Sequence, residues 1–113
     1  MKKIYVAGPL NADAINYIQN IHNMILWAER VRKLGFAVFV PCLDILMGIQ
    51  LGKWDYDDYF LNSQPWLEIS DALFIIPGWR SSSGTQKEIK RAKELKKPVF
   101  FKLKSLIKWA KSQ

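Results

Sequence analysis

Ala72 to Ile76 form an uninterrupted run of five apolar residues, bounded by Asp71 and Pro77. A strand with one face in water would alternate apolar and polar side chains, and this run does not alternate. It is typical of a strand that is covered on both faces, as the strands of a parallel sheet are. The run therefore predicts an α/β chain built around such a sheet.

The rest of the chain alternates strand and helix patterns around this run. Further strands are predicted at residues 3–8, 36–40 and 98–101, and helices at about 13–34, within 56–69, at 85–95 and over the last residues. This order is the signature of βαβ crossovers, so we expect one parallel sheet with four evident strands in a single domain, residues 1–113.

Two helices carry more detailed expectations. In the first helix, apolar residues recur at three- and four-residue steps and predict one buried stripe. The stripe consists of Ile15, Ile18, Ile21, Ile25, Ala28 and Val31. In the helix within residues 56–69, Pro65 is expected to kink or split the helix, since it lacks a backbone N–H.

Composition and charge narrow the class of protein. Cys42 is the single cysteine, which excludes an intrachain disulfide and a cage of cysteine metal ligands and favours a reducing, cytoplasmic setting. No apolar stretch approaches the about 20 residues that cross a bilayer, so we expect a soluble protein without a membrane partner. Residues 87–113 hold ten Lys or Arg and two Glu. This basic third either steers an anionic ligand or consists of solvated lysines on two helices.

Three loops are expected at the carboxyl edge of the sheet, where open parallel sheets bind ligands: residues 8–11, 41–42 and 77–85. The third loop ends in Ser81-Ser82-Ser83-Gly84-Thr85 at the start of a helix, where hydroxyls, backbone N–H groups and the helix dipole hold anions. No P-loop and no G-x-G-x-x-G motif is present, so triphosphate and dinucleotide binding are poorly supported.

Glu88 has two interpretations. Its carboxylate, in what we expect to be the first turn of the helix, either attacks a sugar carbon at the mouth of the loop or reaches back from Thr85-x-x-Glu88 as a capping box. Trp79 either walls a pocket and stacks on a base or packs in the core. His22 lacks a second metal ligand nearby, and the cluster Asp55, Asp57 and Asp58 is interpreted as a solvated acidic turn. No metal site and no cofactor are expected.

Several motifs together resemble a known family. They are Tyr5-Val6-Ala7-Gly8-Pro9, Ser70-Asp71-Ala72-Leu73, Pro77-Gly78-Trp79-x-x-Ser82-x-Gly84-x-x-x-Glu88 and Lys97-Pro98-Val99. In this order, over residues 3–101, they resemble the nucleoside 2-deoxyribosyltransferase-like superfamily, and most of all its small members with the PGW-x-x-S-x-G-x-x-x-E motif. The resemblance implies a flavodoxin-like (Rossmann-like) sheet of four to five strands with helices on both faces.

The resemblance also implies a reaction and a set of site residues. The reaction is cleavage of the N-glycosidic bond of a deoxynucleoside or its 5′-monophosphate, with the sugar passing to Glu88 and then to water or another base. Tyr5 would orient Glu88, and Ser82 stands where the related monophosphate hydrolases contact phosphate. The residues expected to bind substrate are Gly8, Pro9, Asn11, Trp79, Ser82, Ser83 and Gly84. The partners implied are a nucleoside or nucleotide and further copies of the chain, as a homodimer or higher oligomer.

The chain departs from the family at the leaving-group acid. The family usually places an aspartate eight residues before the Asp of its S-D-A segment, and here that position is Ser63, which is no useful acid. Asp58 is one candidate replacement. The alternative is a binding module that has lost turnover and acts as a nucleotide sensor or sponge. A third interpretation is a nucleic-acid or membrane-surface protein that uses the lysine-rich end. It is less favoured than packing of the last helix on the sheet or on a partner subunit.

Overall fold

The four predicted strands form one parallel sheet. The structure is a computed structural model that describes residues 1–10 and 14–113. The strands are β1 (Lys3–Ala7), β2 (Ala37–Phe39), β3 (Ala72–Ile75) and β4 (Val99–Phe100), in the order β2-β1-β3-β4. All neighbouring pairs are parallel. The order agrees with the flavodoxin-like arrangement, so the expected fold class is confirmed.

Five helices surround this sheet. They are α1 (Ala14–Lys33), α2 (Ile45–Leu51), α3 (Tyr56–Ile69), α4 (Ser83–Glu94) and α5 (Leu103–Lys111). The short helix α2 was not predicted, since Gly48 and Gly52 interrupt its sequence pattern. Gly48 is needed there because a Cβ atom would lie 1.7 Å from the Tyr59 hydroxyl. None of the helices formed by the described residues is long and apolar enough to cross a membrane.

The core has two sides because successive residues of β1 point to opposite faces of the sheet. Ile4 and Val6 pack in a cluster with residues of α1 and with Leu106 of α5. Tyr5 and Ala7 pack in a second cluster with residues of α3 and α4. Helices therefore cover both faces, and the apolar side of α5 packs on the sheet rather than facing a membrane. Tyr5, fully buried, points toward α3 and α4.

The predicted stripe of α1 is only partly right. Met24, Ala28 and Val31 are buried against the sheet, but Ile15 and Ile18 are 71% and 67% exposed. Apolar residues recur at three- and four-residue steps on two different faces of this long helix. The sheet contacts the face that contains Met24. A second apolar face of α1 therefore points outward.

Helix α3 was expected to break at Pro65, and it is not split there. A proline inside a helix removes one hydrogen bond to the carbonyl four residues earlier, here that of Leu61. The helix is supported at its start by a capping box, in which the Asp55 side chain accepts from the Asp58 N–H at 3.0 Å and Asp58 accepts from the Asp55 N–H at 2.9 Å. Packing of Leu67 between the sheet and α4 further stabilises the segment after Pro65.

The strand order creates a crevice between the carboxyl ends of β1 and β3. The chain leaves β1 toward β2 on one side and later returns to β3 on the other, and such switch points are where open α/β sheets bind ligands. Gly8, directly after β1, allows the close approach of the segment after β3, because a Cβ atom there would lie 2.3 Å from Ile76 Cγ1. The segments that follow β1 and β3 therefore pack closely together at the base of this crevice.

Candidate active site

A cavity of about 290 Å³ opens at this carboxyl edge. It is bounded by the residues that follow β1 and β2, by α3 and by the start of α4. Its size corresponds to the lower end of small-molecule pockets. Its lining combines aromatic rings with hydroxyl and carboxyl groups.

Glu88 and Tyr5 form the polar centre of the site. The Tyr5 hydroxyl donates a short hydrogen bond to Oε2 of Glu88, and Glu88 lines the cavity. Burial, followed by the nearby Glu88 charge, raises the pKa of Tyr5 well above its usual value. Tyr5 therefore stays protonated and acts as a hydrogen-bond donor that fixes the Glu88 carboxylate.

Burial also acts on Glu88 itself. Desolvation raises the pKa of Glu88 to about 7, and the hydrogen bond from Tyr5 opposes this rise. Only the ionised form of a carboxyl group can act as a nucleophile, and the hydrogen bond from Tyr5 favours that form. Near neutral pH the group is poised between its protonated and ionised forms.

Glu88 does not cap its own helix. Helix α4 begins at Ser83, two residues earlier than predicted, and Ser82 is the N-cap. The Ser82 hydroxyl accepts hydrogen bonds from the Thr85 N–H at 3.2 Å and from Thr85 Oγ1 at 2.9 Å. The capping-box interpretation of Thr85-x-x-Glu88 is therefore wrong. Glu88 lies in the second turn, where its side chain points at Tyr5 instead.

The start of α4 supplies the second part of the site. Ser82, Gly84 and Thr85 line the cavity where the positive end of the helix dipole lies. Gly84 faces the Tyr56 ring, since a Cβ atom there would lie 3.5 Å from the Tyr56 hydroxyl. The Lys87 ammonium lies 5.2 Å from the centre of the same ring. Hydroxyls, helix N-terminus and a nearby cation make this end suitable for an anion.

The cavity also has an aromatic wall. It consists of Tyr17, Trp54, Tyr56, Tyr59 and Phe60. The ring of Trp54 meets that of Tyr59 edge-on, with ring centroids 5.1 Å apart. The ring of Tyr56 stacks on that of Phe60, with ring centroids 6.3 Å apart, so the rings support one another. Flat, apolar faces with a few hydroxyls suit a planar heteroaromatic ligand.

Three further side chains of the lining bear on its chemistry: Cys42, Asp44 and Ser63. Burial raises the pKa of the Cys42 thiol to about 11, so this cysteine is neutral and no nucleophile. Asp44 is 9% exposed and accepts a hydrogen bond from Asn62 Nδ2 at 3.1 Å. The Ser63 hydroxyl donates to the Phe60 carbonyl at 3.2 Å. Its interaction with Tyr5 opposes, without overcoming, the rise that burial causes in the pKa of Tyr5.

Comparison with known proteins places the chain in a family. A family described as a domain of unknown function, DUF4406, matches residues 2–101. The chain belongs to the DUF4406 family. This family is nucleoside deoxyribosyltransferase-like, so the resemblance inferred from the sequence motifs is confirmed. No curated protein sequence matches the chain.

Two solved structures share the fold of this DUF4406 chain. A 2-deoxyribosyltransferase from the psychrotolerant bacterium Bacillus psychrosaccharolyticus matches with a TM-score of 0.63 at 24% identity, over 86% of this chain and 69% of that one. A conserved protein from Enterococcus faecalis V583 matches with a TM-score of 0.69 at 24% identity, over 88% of this chain and 61% of that one. The chain thus spans roughly two thirds of their length, and at this identity the likeness establishes the fold.

Several residues that the sequence singled out do meet in the DUF4406 fold. The cavity is lined by Gly8, Ser82, Gly84 and Glu88, and Tyr5 lies directly behind Glu88. They come from two separate segments, residues 5–8 and 82–88, which the sheet order brings to one edge. The loop after β2 also reaches the cavity, through Pro41 and Cys42.

Other expected site residues lie elsewhere. The ring of Trp79 packs on that of Phe101, with ring centroids 5.2 Å apart, and contacts the core cluster beneath α4. This placement agrees with the interpretation of Trp79 as a core residue. Asp58 is exposed and occupied in the capping box of α3. Pro9 and Ser83 do not line the cavity, and Asn11 lies outside the described residues. Neither Asp58 nor Trp79 therefore gains geometric support for a role in the site.

Sequence reasoning missed Asp44 and the aromatic wall. Asp44 ends the short 3₁₀ turn Pro41–Asp44 that follows β2. Its place three residues after the strand-ending Pro41 is a usable signal, because any polar residue just beyond a parallel strand lies near the ligand edge. The aromatic wall had been treated as an irregular acidic turn, and only the folding of α3 brings its rings together.

Proposed function

We propose that the chain cleaves the N-glycosidic bond of a 2′-deoxynucleoside or its 5′-monophosphate, with Glu88 as the nucleophile. The observation that carries this proposal is the Glu88 carboxylate, which lines a ligand-sized cavity and is held by the buried Tyr5 hydroxyl. The shared fold with a 2-deoxyribosyltransferase supports the same class of reaction.

The reaction runs in two steps. A Glu88 oxygen bonds to C1′ of the sugar while the bond from C1′ to the base nitrogen breaks and its electron pair leaves with the base. Water, or a second base, then displaces Glu88 from C1′. Such a pair of displacements splits one difficult step into two easier ones. Tyr5 holds the carboxylate in the reactive orientation, which lowers the entropic part of the barrier.

Two parts of the cavity lining, the start of α4 and the aromatic wall, support a phosphorylated substrate. Ser82, Gly84 and the N-terminus of α4 suit a 5′-phosphate, with Lys87 nearby as a cation. The aromatic wall suits the base. Glu88 lines the same cavity, so a nucleotide bound through both its phosphate and its base would place C1′ within reach of this cavity wall.

Base release tests this function. Wild-type protein is incubated with each of the four 2′-deoxynucleoside 5′-monophosphates and with the unphosphorylated deoxynucleosides, and free base is measured by chromatography. We expect faster release from the monophosphates. We expect Glu88→Gln to slow release by at least about a thousandfold, since it removes the nucleophile and little volume.

The matched control is Glu94→Gln, which changes an exposed carboxylate on the same helix. Its rate should equal that of wild type. Equal rates for wild type and Glu88→Gln would exclude Glu88 as the nucleophile.

The second candidate is a binding module without turnover. Ser63, at the position where the family usually carries an acid, favours it. After long incubation, this candidate predicts that bound deoxynucleotide is recovered intact, whereas the glycosidase predicts free base and a sugar phosphate.

A further inference from the structure

The proposed reaction requires a proton for the departing base. A purine or pyrimidine anion leaves poorly, and protonation by a positioned acid typically contributes about 10²–10⁴-fold. Ser63 cannot donate usefully at neutral pH, and Asp58 is exposed in the capping box of α3. The acid must therefore be sought among the other titratable groups around the cavity.

Most of those groups are unsuitable. The Cys42 thiol has a pKa of about 11, and the tyrosines are weak acids. Asp55 is exposed, and its side chain accepts the Asp58 N–H at the start of α3. Glu88 is required as the nucleophile. Among the described residues that line the cavity, this leaves the carboxyl group of Asp44.

Asp44 has the placement that the acid needs. It is 9% exposed and lines the cavity together with the aromatic wall and Glu88. Asn62, the neighbour of Ser63 on α3, donates to its Oδ2 at 3.1 Å and holds the carboxyl group in place. Asp44 also lies near enough to Tyr5 for its charge to act on that hydroxyl. It therefore stands beside both the nucleophile pair and the wall assigned to the base.

We propose that Asp44 is the general acid and base of this site, in place of an acid at position 63. Asp44 passes a proton to the base nitrogen as the bond to C1′ breaks, and the base leaves neutral. In the second step the Asp44 carboxylate takes a proton from the attacking water, and Glu88 leaves as a carboxylate. The sum is nucleotide plus water to free base plus deoxyribose 5-phosphate. This inference rests on the proposed glycosidase function.

The test compares leaving groups that do and do not need a proton. The probes are 2′-deoxyguanosine 5′-monophosphate, the other three natural monophosphates and N7-methyl-2′-deoxyguanosine 5′-monophosphate. The methylated base carries a positive charge and departs neutral without protonation. We expect Asp44→Asn to slow release of natural bases at least about a hundredfold but release of N7-methylguanine by only a few-fold. Glu88→Gln should abolish both.

The methylated probe also reports on folding, because an intact site is needed to release its base. Asp44→Glu, which keeps the acid, should release natural bases faster than Asp44→Asn does. An equal loss on both kinds of probe in Asp44→Asn, or an unchanged rate on natural bases, would overturn the assignment of Asp44 while leaving the glycosidase in place. Wild-type protein inert toward all five probes would instead defeat the proposed function, and the inference with it.

Discussion

At the scale of single residues, the site depends on the pairing of Glu88 with Tyr5. Tyr5 occupies a fully buried position of the central strand β1, so its hydroxyl is fixed by the fold and cannot turn away. Because Tyr5 remains protonated, it offers Glu88 a donor without adding charge. The pairing supplies orientation to a carboxylate that burial has otherwise made expensive to ionise.

The raised pKa of Glu88 has a consequence for stability. Since the folded-state pKa of about 7 lies above the usual value of 4.5, the folded protein binds this proton more tightly than the unfolded chain does. The corresponding stabilisation is present below about pH 4.5 and is lost as pH rises through about 7. We therefore expect Glu88→Gln to gain stability relative to wild type between pH 5 and pH 8, on the order of 2 kcal/mol.

Urea unfolding of both proteins at pH 5 and pH 8 measures this difference. Glu94→Gln is the control, since Glu94 is exposed, and its stability should follow that of wild type at both pH values. If the gap between Glu88→Gln and wild type did not widen with pH, the burial of an ionisable Glu88 would be contradicted.

At the scale of elements, the strands were predictable and the helix details were not. The strands predicted at residues 3–8, 36–40, 72–76 and 98–101 agree with β1 to β4 to within one residue at each end. Helix α2 was missed because glycines weaken a helix pattern, although Gly48 is there to admit the Tyr59 side chain. Pro65 was expected to break α3, but tertiary packing of Leu67 outweighs one missing hydrogen bond.

The residues of the site likewise divide into those that the sequence predicts and those that it does not. Motif spacing brought Tyr5, Ser82 and Glu88 to one edge, because the carboxyl ends of parallel strands lie together. Motif spacing could not decide whether the Glu88 side chain caps the start of α4 or faces the cavity. The decision depends on where α4 begins, and Ser82 rather than Thr85 caps it. Asp44 and the aromatic wall depend on how the segment between β2 and β3 folds, which no local pattern specifies.

At the scale of the whole molecule, the homo-oligomer expected from the sequence stays a prediction, and the outward face of α1 offers a surface on which to test it. Ile15, Ile18, Ile25 and Leu26 lie on one side of this helix and are 71%, 67%, 43% and 47% exposed. Several exposed apolar side chains on one side of a helix are a candidate contact with another protein, and a small domain gains stability from burying apolar surface. We propose that a second copy of the chain covers it.

Light scattering on a sizing column tests this proposal. Wild-type protein should elute as a dimer or larger assembly, and Ile18→Glu should shift it to a monomer, because a charge cannot be buried in the contact without a partner. Ile69→Glu, the same change at a 57% exposed position on α3, is the matched control and should leave the assembly intact. A monomeric wild type would contradict the interface.

The most direct measurement for the account as a whole is mass spectrometry of the protein caught during turnover. Wild-type protein mixed with a deoxynucleoside monophosphate is quenched in acid within the reaction time and digested, and the peptide that contains Glu88 is analysed. We expect that peptide to carry a deoxyribose phosphate group, and the same peptide from Glu88→Gln to carry none. Base release by wild type with the sugar phosphate attached to a different residue, or by Glu88→Gln at an undiminished rate, would contradict the assignment of Glu88 as the nucleophile.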